Sequence, residues 1–109
     1  MMDENQFRVE SDAALNDLFR ALTRASEEHE FEADLNSGAL TVEFEEPPAK
    51  FVVSPNAPVR QIWVSALTKS FKLDWNEEQK AFVLAHNGQT LKNLMGEVIT
   101  LQLGEAVEL

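Results

Sequence analysis

Hydrophobic residues recur every three or four positions at the two ends of this chain and every second position between them. At the start, Phe7, Ser11, Ala14, Leu18, Leu22 and Ala25 keep the helical spacing, with Leu15 beside them. No proline or glycine interrupts them, so residues 5–26 are predicted to form an amphipathic helix. After Glu27-Glu28-His29 the period falls to two. Phe31, Ala33 and Leu35 alternate with Glu30, Glu32 and Asp34, which predicts a strand with one dry face and one wholly anionic face. Asn36-Ser37-Gly38 reads as a short hairpin loop, where Gly38 can take a positive φ. Leu40, Val42 and Phe44 then alternate with Thr41, Glu43 and Glu45, and Pro47-Pro48 is expected to end this strand.

Further strands are predicted at Lys50–Ser54, Arg60–Ala66, Lys69–Trp75 and Lys80–Ala85, with turns at 55–58, 76–79 and 86–88. Leu91, Leu94, Met95 and Val98 return to one helical face, so Thr90–Leu101 is predicted to be a second helix with Thr90 as its N-cap. The end of the chain keeps Leu103, Val107 and Leu109, so it is expected to pack on the rest. This order predicts an α+β fold: a two-layer α/β sandwich of helix, six-stranded antiparallel sheet and helix. It forms one domain over 1–109, with both helices on one face of the sheet and the other face open.

Charge changes this picture, because it is not spread evenly. Residues 1–46 hold thirteen acids against three bases, which accounts for the whole net charge of −10; the remainder is neutral. Such a surface disfavours nucleic acid and anionic membranes and favours cations and basic protein surfaces. The chain has no cysteine, which excludes disulfides, thiolate catalysis and clusters held by thiolates. No apolar run approaches the length of a membrane span, and Met1-Met2-Asp3-Glu4 resembles neither a signal nor a transit peptide.

The candidate metal-binding residues are Asp3, Glu10, Asp12, Asp17, Glu27, Glu28, Glu30, Glu32 and Asp34. Asp3, Glu10 and Asp17 are spaced by seven and line one flank of the first helix, with Asp12 on the other flank. With the helix end and the first strand they are expected to form one continuous ridge. All-carboxylate ligands suit hard cations, and spread over a surface they give weak, unselective sites. The plain alternative is a solvated face that serves solubility. His29 stands among these acids; His86 lies in a turn. No Glu-x-x-His, His-Glu-x-x-His, P-loop or Gly-x-Ser-x-Gly is present, so an ordinary enzyme is not indicated. If Ile62 and Val64 face the helices, Trp63 stands on the open face of the sheet. There it would be an anchor for a partner, with Asn56, Arg60, Lys69 and Lys72 to supply polar contacts.

Several stretches together resemble the frataxin family: Ser37-Gly38-Ala39-Leu40-Thr41-Val42, Pro58-Val59-Arg60-Gln61-Ile62-Trp63-Val64-Ser65, Lys72-Leu73-Asp74-Trp75 and His86-Asn87-Gly88-Gln89-Thr90-Leu91. The Leu103-Gly104-Glu105 ending is similar to the family's bacterial CyaY branch. The resemblance implies a helix–sheet–helix sandwich and iron (Fe²⁺ or Fe³⁺) bound on the acidic ridge. It also implies a role in iron–sulfur cluster assembly through contact with cysteine desulfurase and the scaffold protein. By position, Glu30, Glu32 and Asp34 match acids of the family's first strand, and Asp12 an acid of its first helix. Trp63 matches its exposed sheet tryptophan and Gln61 the glutamine beside it. Asn56 stands near a partner-contacting asparagine, and Lys72 replaces a frequent arginine. Phe19, Arg20, Thr23 and Arg24 stand where the family usually has acids, which moves the expected cation site toward Glu27–Asp34.

The expectation is an iron-binding donor or regulator of cluster assembly, without a resident catalytic residue. It would be cytoplasmic in a bacterium, or in the mitochondrial matrix if a presequence has been removed. The expected form is a monomer, with iron-dependent oligomers as the alternative. A ferroxidase oxidising Fe²⁺ on the ridge is the enzyme-class alternative. An acidic mimic of nucleic acid is a third, and it leaves unexplained a Trp63 on the side opposite the charge.

Overall fold

The computed structural model describes residues 2–109. Helix α1 spans Glu4–Ala25, followed by strands β1 (Glu32–Asn36), β2 (Ala39–Glu45) and β3 (Pro48–Asn56). A 3-10 turn at Ala57–Val59 leads to β4 (Gln61–Ala66), β5 (Lys69–Asn76), β6 (Ala81–Leu84) and helix α2 (Leu91–Leu103). The six strands form one antiparallel sheet in sequence order, as expected for strands joined only by hairpins. Asp3 caps α1 by accepting the Gln6 N–H at 2.7 Å, and Thr90 caps α2 by accepting the Asn93 N–H at 3.3 Å. Gly104 ends α2 in the left-handed conformation, two residues later than the pattern predicted.

The inward registers build the core. Leu40, Val53 and Val64 lie in one cross-strand row, as do Ile62 and Leu73 in the next, and all are at most 1% exposed. Leu15, Leu18 and Leu22 of α1 and Leu94, Met95 and Ile99 of α2 cover them. Phe7, near the start of α1, meets Phe82 of β6 edge-on at 5.8 Å, while the end of α1 leads into β1. The first helix therefore crosses the sheet from one edge strand to the other.

Two expectations about proline shift. Pro48 opens β3 instead of only closing β2, and Pro55 lies inside β3, opposite Ile62. Both positions suit a residue without an N–H, one at a strand's first residue and one close to its end. Arg60, expected to begin β4, instead closes the 3-10 turn with φ 55°.

The chain end packs as its apolar residues predict. Val107 is 5% exposed, and its N–H donates to Thr100 Oγ1 at 3.0 Å. Gly96 makes room for it: a Cβ there would stand 3.3 Å from the Val107 carbonyl oxygen. Removing residues 105–109 is expected to cost about 2 kcal/mol, from the apolar area of Val107 and Leu109. Thermal denaturation should then show the Tm lower by roughly 10 °C.

Candidate functional site

The hairpin β1–β2 is set by a two-residue loop in which Ser37 and Gly38 both have positive φ, 54° and 80°. Such a turn matches the twist of the strands it joins and fixes their register. That register places Glu32 opposite Glu43 and Asp34 opposite Thr41. Residues 27–46 contain eight carboxylates and no Lys or Arg. Among the described residues none of the eight closes an ion pair with Lys or Arg, not even Glu43 with Lys50 opposite it on β3. Like charges directly opposite each other destabilise a sheet, so this hairpin is held together by its inward face. Leu40, Val42 and Phe44 supply that face, and Phe44 packs between Phe31 and Phe51 of β3 with ring centroids 5.9 and 4.8 Å away.

The nine acids named from the sequence do not form one ridge. Asp3 is engaged as the helix cap. Glu10 and Asp17 face a depression between the two helices and β6, shared with Lys80 and Lys92. Asp17 accepts from Lys92 Nζ at 2.9 Å, with Arg20 at 3.9 Å. The spacing of seven does put these acids on one flank, but that flank turns toward Lys92 of α2 and Lys80 of the β5–β6 turn. Asp12 lies exposed on α1, and Glu27, Glu28, Glu30, Glu32 and Asp34 are exposed along the entry to β1 and β1 itself. Among the described residues no three His, Cys, Asp or Glu side chains converge on one point that would hold a metal ion. The remaining hairpin acids form a field of hard oxygen donors without a closed coordination sphere. Glu43, Glu45 and Glu46 extend it; the alternation in 40–45 signals the first two. His29, expected near these acids, points its Nδ1 at Glu105 of the chain end, 2.5 Å away.

The Lys92 hydrogen bond holds the Asp17 carboxyl below its ordinary value of 3.8. A depressed pKa contributes stability above the unfolded value, and that contribution disappears as pH falls through the folded one. With Asp17 55% exposed, the pair is worth at most about 0.5 kcal/mol. Asp17→Asn is therefore expected to be slightly less stable than wild type at pH 7 and to approach it as acid protonates the folded carboxyl, at a pH below the ordinary 3.8. Urea titrations at pH 7 and in acid measure the difference.

On the open face of the sheet stands Trp63, 38% exposed, while Ile62 and Val64 are buried beneath it as the alternation requires. Its indole N–H donates to Gln61 Oε1 at 2.9 Å, and Gln61 Nε2 donates to Asp74 Oδ1 at 3.0 Å. Lys72, its cross-strand neighbour, places Nζ 5.0 Å from the ring centroid, within cation–π range. Three side chains thus fix the ring, and a depression of about 200 Å³ opens beside it among Ser54, Ser65 and Ser70. Asn56 joins this surface, opposite Gln61 on β3. Lys69, opposite Ala66, falls in the inward register and does not join it. The Arg60 guanidinium hydrogen-bonds the Ala57 carbonyl and is committed to its turn.

Trp63 is not opposite the strand acids. Asp34, Thr41, Val52 and Ser65 form one cross-strand row, and Ser54 pairs with Trp63 in the next. The row from Asp34 to Ser65 spans three interstrand spacings, about 14 Å. The acids of β1–β2 and the anchored indole therefore share the solvent face, one at its edge and one at its centre.

A helix, an antiparallel meander of six strands and a second helix, with an acidic first hairpin and an anchored tryptophan on the open face, describe a frataxin-like protein. The sequence matches the frataxin-like domain family over residues 1–105, and the chain belongs to the frataxin/CyaY family. It is 28% identical over 96 residues to the iron-sulfur cluster assembly protein CyaY of Azotobacter vinelandii, covering 86% of each chain. With the protein of the same name from Pseudomonas putida it shares 27% over 104 residues, 90% of this chain and 94% of that one. Among solved structures, frataxin from Psychromonas ingrahamii has the same fold, with TM-score 0.75 and 22% identity over 98% of this chain and 97% of that one. Yeast frataxin matches with TM-score 0.69 and 24% identity over 88% and 79%.

Proposed function

We propose that this protein serves iron–sulfur cluster assembly as an iron-responsive regulator or iron donor. The acidic hairpin attracts iron weakly as cargo and meets a basic surface of cysteine desulfurase; the Trp63 surface meets the scaffold protein. The observation that carries this reading is the Glu32–Glu43 juxtaposition in a hairpin with eight acids and no Lys or Arg. An uncompensated local cost on a folded sheet marks a surface kept for what it attracts. Iron–sulfur cluster assembly is the role carried by the names of the relatives from Azotobacter and Pseudomonas. Glu28, Glu30, Glu32, Asp34 and Glu43 are the residues assigned to cations and desulfurase, with Glu27 and Asp12 at the margin. Gln61, Trp63, Asn56 and Lys72 are assigned to the scaffold.

No helix among the described residues is long and apolar enough to cross a membrane, and the place of action proposed is a bacterial cytoplasm. The test is cluster formation on the scaffold by desulfurase, cysteine and iron, followed by absorbance with and without this protein. The rate is expected to change in its presence, and the change to grow with iron concentration. An unchanged rate at every iron concentration would overturn the proposal.

A further inference from the structure

The two edges of the sheet are treated differently. At the β6 edge the following loop folds back: Leu84 N–H donates to the Gln89 carbonyl at 2.9 Å, and Val83 pairs with Thr90. Among the described residues nothing does so at the β1 edge: Glu32–Asn36 makes no backbone hydrogen bond outside its ladder with β2, which leaves its outward N–H and C=O groups without a partner among them. On the helix side Ala33 and Leu35 are only partly covered, although they pack against the core. On the open side Glu32 and Asp34 are exposed, and neither closes an ion pair among the described residues. An open edge of this kind is a template for another strand.

We propose that β1 receives an extended basic segment of a partner protein as a seventh, edge-added strand. The segment carries Lys or Arg at alternate positions, to face Glu32 and Asp34, and aliphatic residues between them, to cover Ala33 and Leu35. Backbone pairing supplies the binding and the two alternating sets supply the selectivity. Charge chooses the occupant. A second copy of this chain would bring another eight unpaired carboxylates to the same edge, and nucleic acid would bring phosphates. This inference rests on the reading above that the acidic hairpin meets a basic partner, and it adds the mode of contact.

The probe is a seven-residue peptide, acetyl-Lys-Val-Lys-Val-Arg-Val-Lys-amide, added to the full chain labelled with nitrogen-15. Two further peptides are N-methylated, one on each alternate set of residues. The native peptide is expected to bind in a salt-dependent way and to slow exchange of the outward amides within 32–36. One N-methylated peptide, blocked on the edge that faces β1, should bind about tenfold weaker or worse, and the other should keep its affinity. Equal affinity for both, or no protection within 32–36, would overturn strand addition while leaving an electrostatic contact in place. Self-association of the chain through β1 without peptide would overturn the choice of occupant. Desulfurase binding that survives neutralisation of the hairpin acids would instead remove the reading beneath it, whatever the peptides do.

Discussion

Replacing Trp63 with alanine is expected to weaken scaffold binding by about 2 kcal/mol or more, roughly thirtyfold, and to leave the fold standing. The two halves of this expectation come from the same geometry. The indole is 38% exposed and sits above a buried layer that it does not complete, since Ile62 and Val64 fill the core below. Its loss should therefore cost the fold about 2 kcal/mol, less than the ~3–5 kcal/mol of a core aromatic and too little to unfold a domain of ordinary stability. For a partner the ring is already in place. Gln61 holds its N–H, Asp74 holds Gln61, and Lys72 lies over its face. Little conformational entropy remains to be lost on binding, which is what makes an aromatic side chain an effective anchor. Titration calorimetry and a thermal melt on the same preparation check both halves. An unfolded variant would show that the ring belongs to the core.

The second large effect concerns the acidic hairpin. The combined variant Glu28→Gln, Glu30→Gln, Glu32→Gln, Asp34→Asn and Glu43→Gln removes five negative charges without changing side-chain size. At low salt it is expected to be more stable than wild type by about 1–2 kcal/mol, because the repulsion between β1 and β2 is relieved. Wild-type Tm should rise with added salt, through screening, and rise at millimolar Mg²⁺ or Fe²⁺, through binding to the folded hairpin. Both responses should be much reduced in the variant. Desulfurase binding should fall with them, since the partner's basic surface would meet neutral amides. A variant less stable than wild type would mean that these carboxylates are structural acceptors.

Much of this architecture is legible in the residues. The change from a period of 3.6 to 2 and back gives both helices and all six strands. The Ser37-Gly38 turn fixes the β1–β2 register, and the parity of 61–65 puts Trp63 outside and Ile62 inside. What the sequence leaves obscure are relations that only tertiary packing sets. Asp17 reads as a free acid because Lys92 lies 75 residues away, on another helix. The acids at 32 and 34 and the indole at 63 share a face through three successive strand registers, and no local pattern carries that relation. Pro55 looks like a turn residue because a strand's terminal pairs are invisible to alternation. The position of Lys69 shows the converse: a base close to Lys72 in sequence falls in the opposite register.

The two proposed docking surfaces, an acidic edge for desulfurase and an anchored tryptophan for the scaffold, share one sheet face and should be separable. Pairwise affinities of wild type, Trp63→Ala and the five-fold hairpin variant for each of the two partners test this most directly. A crossed pattern is expected. Trp63→Ala loses the scaffold and keeps the desulfurase, while the hairpin variant loses the desulfurase and keeps the scaffold. If both variants lose the same partner, or neither loses any, the two-surface account is wrong.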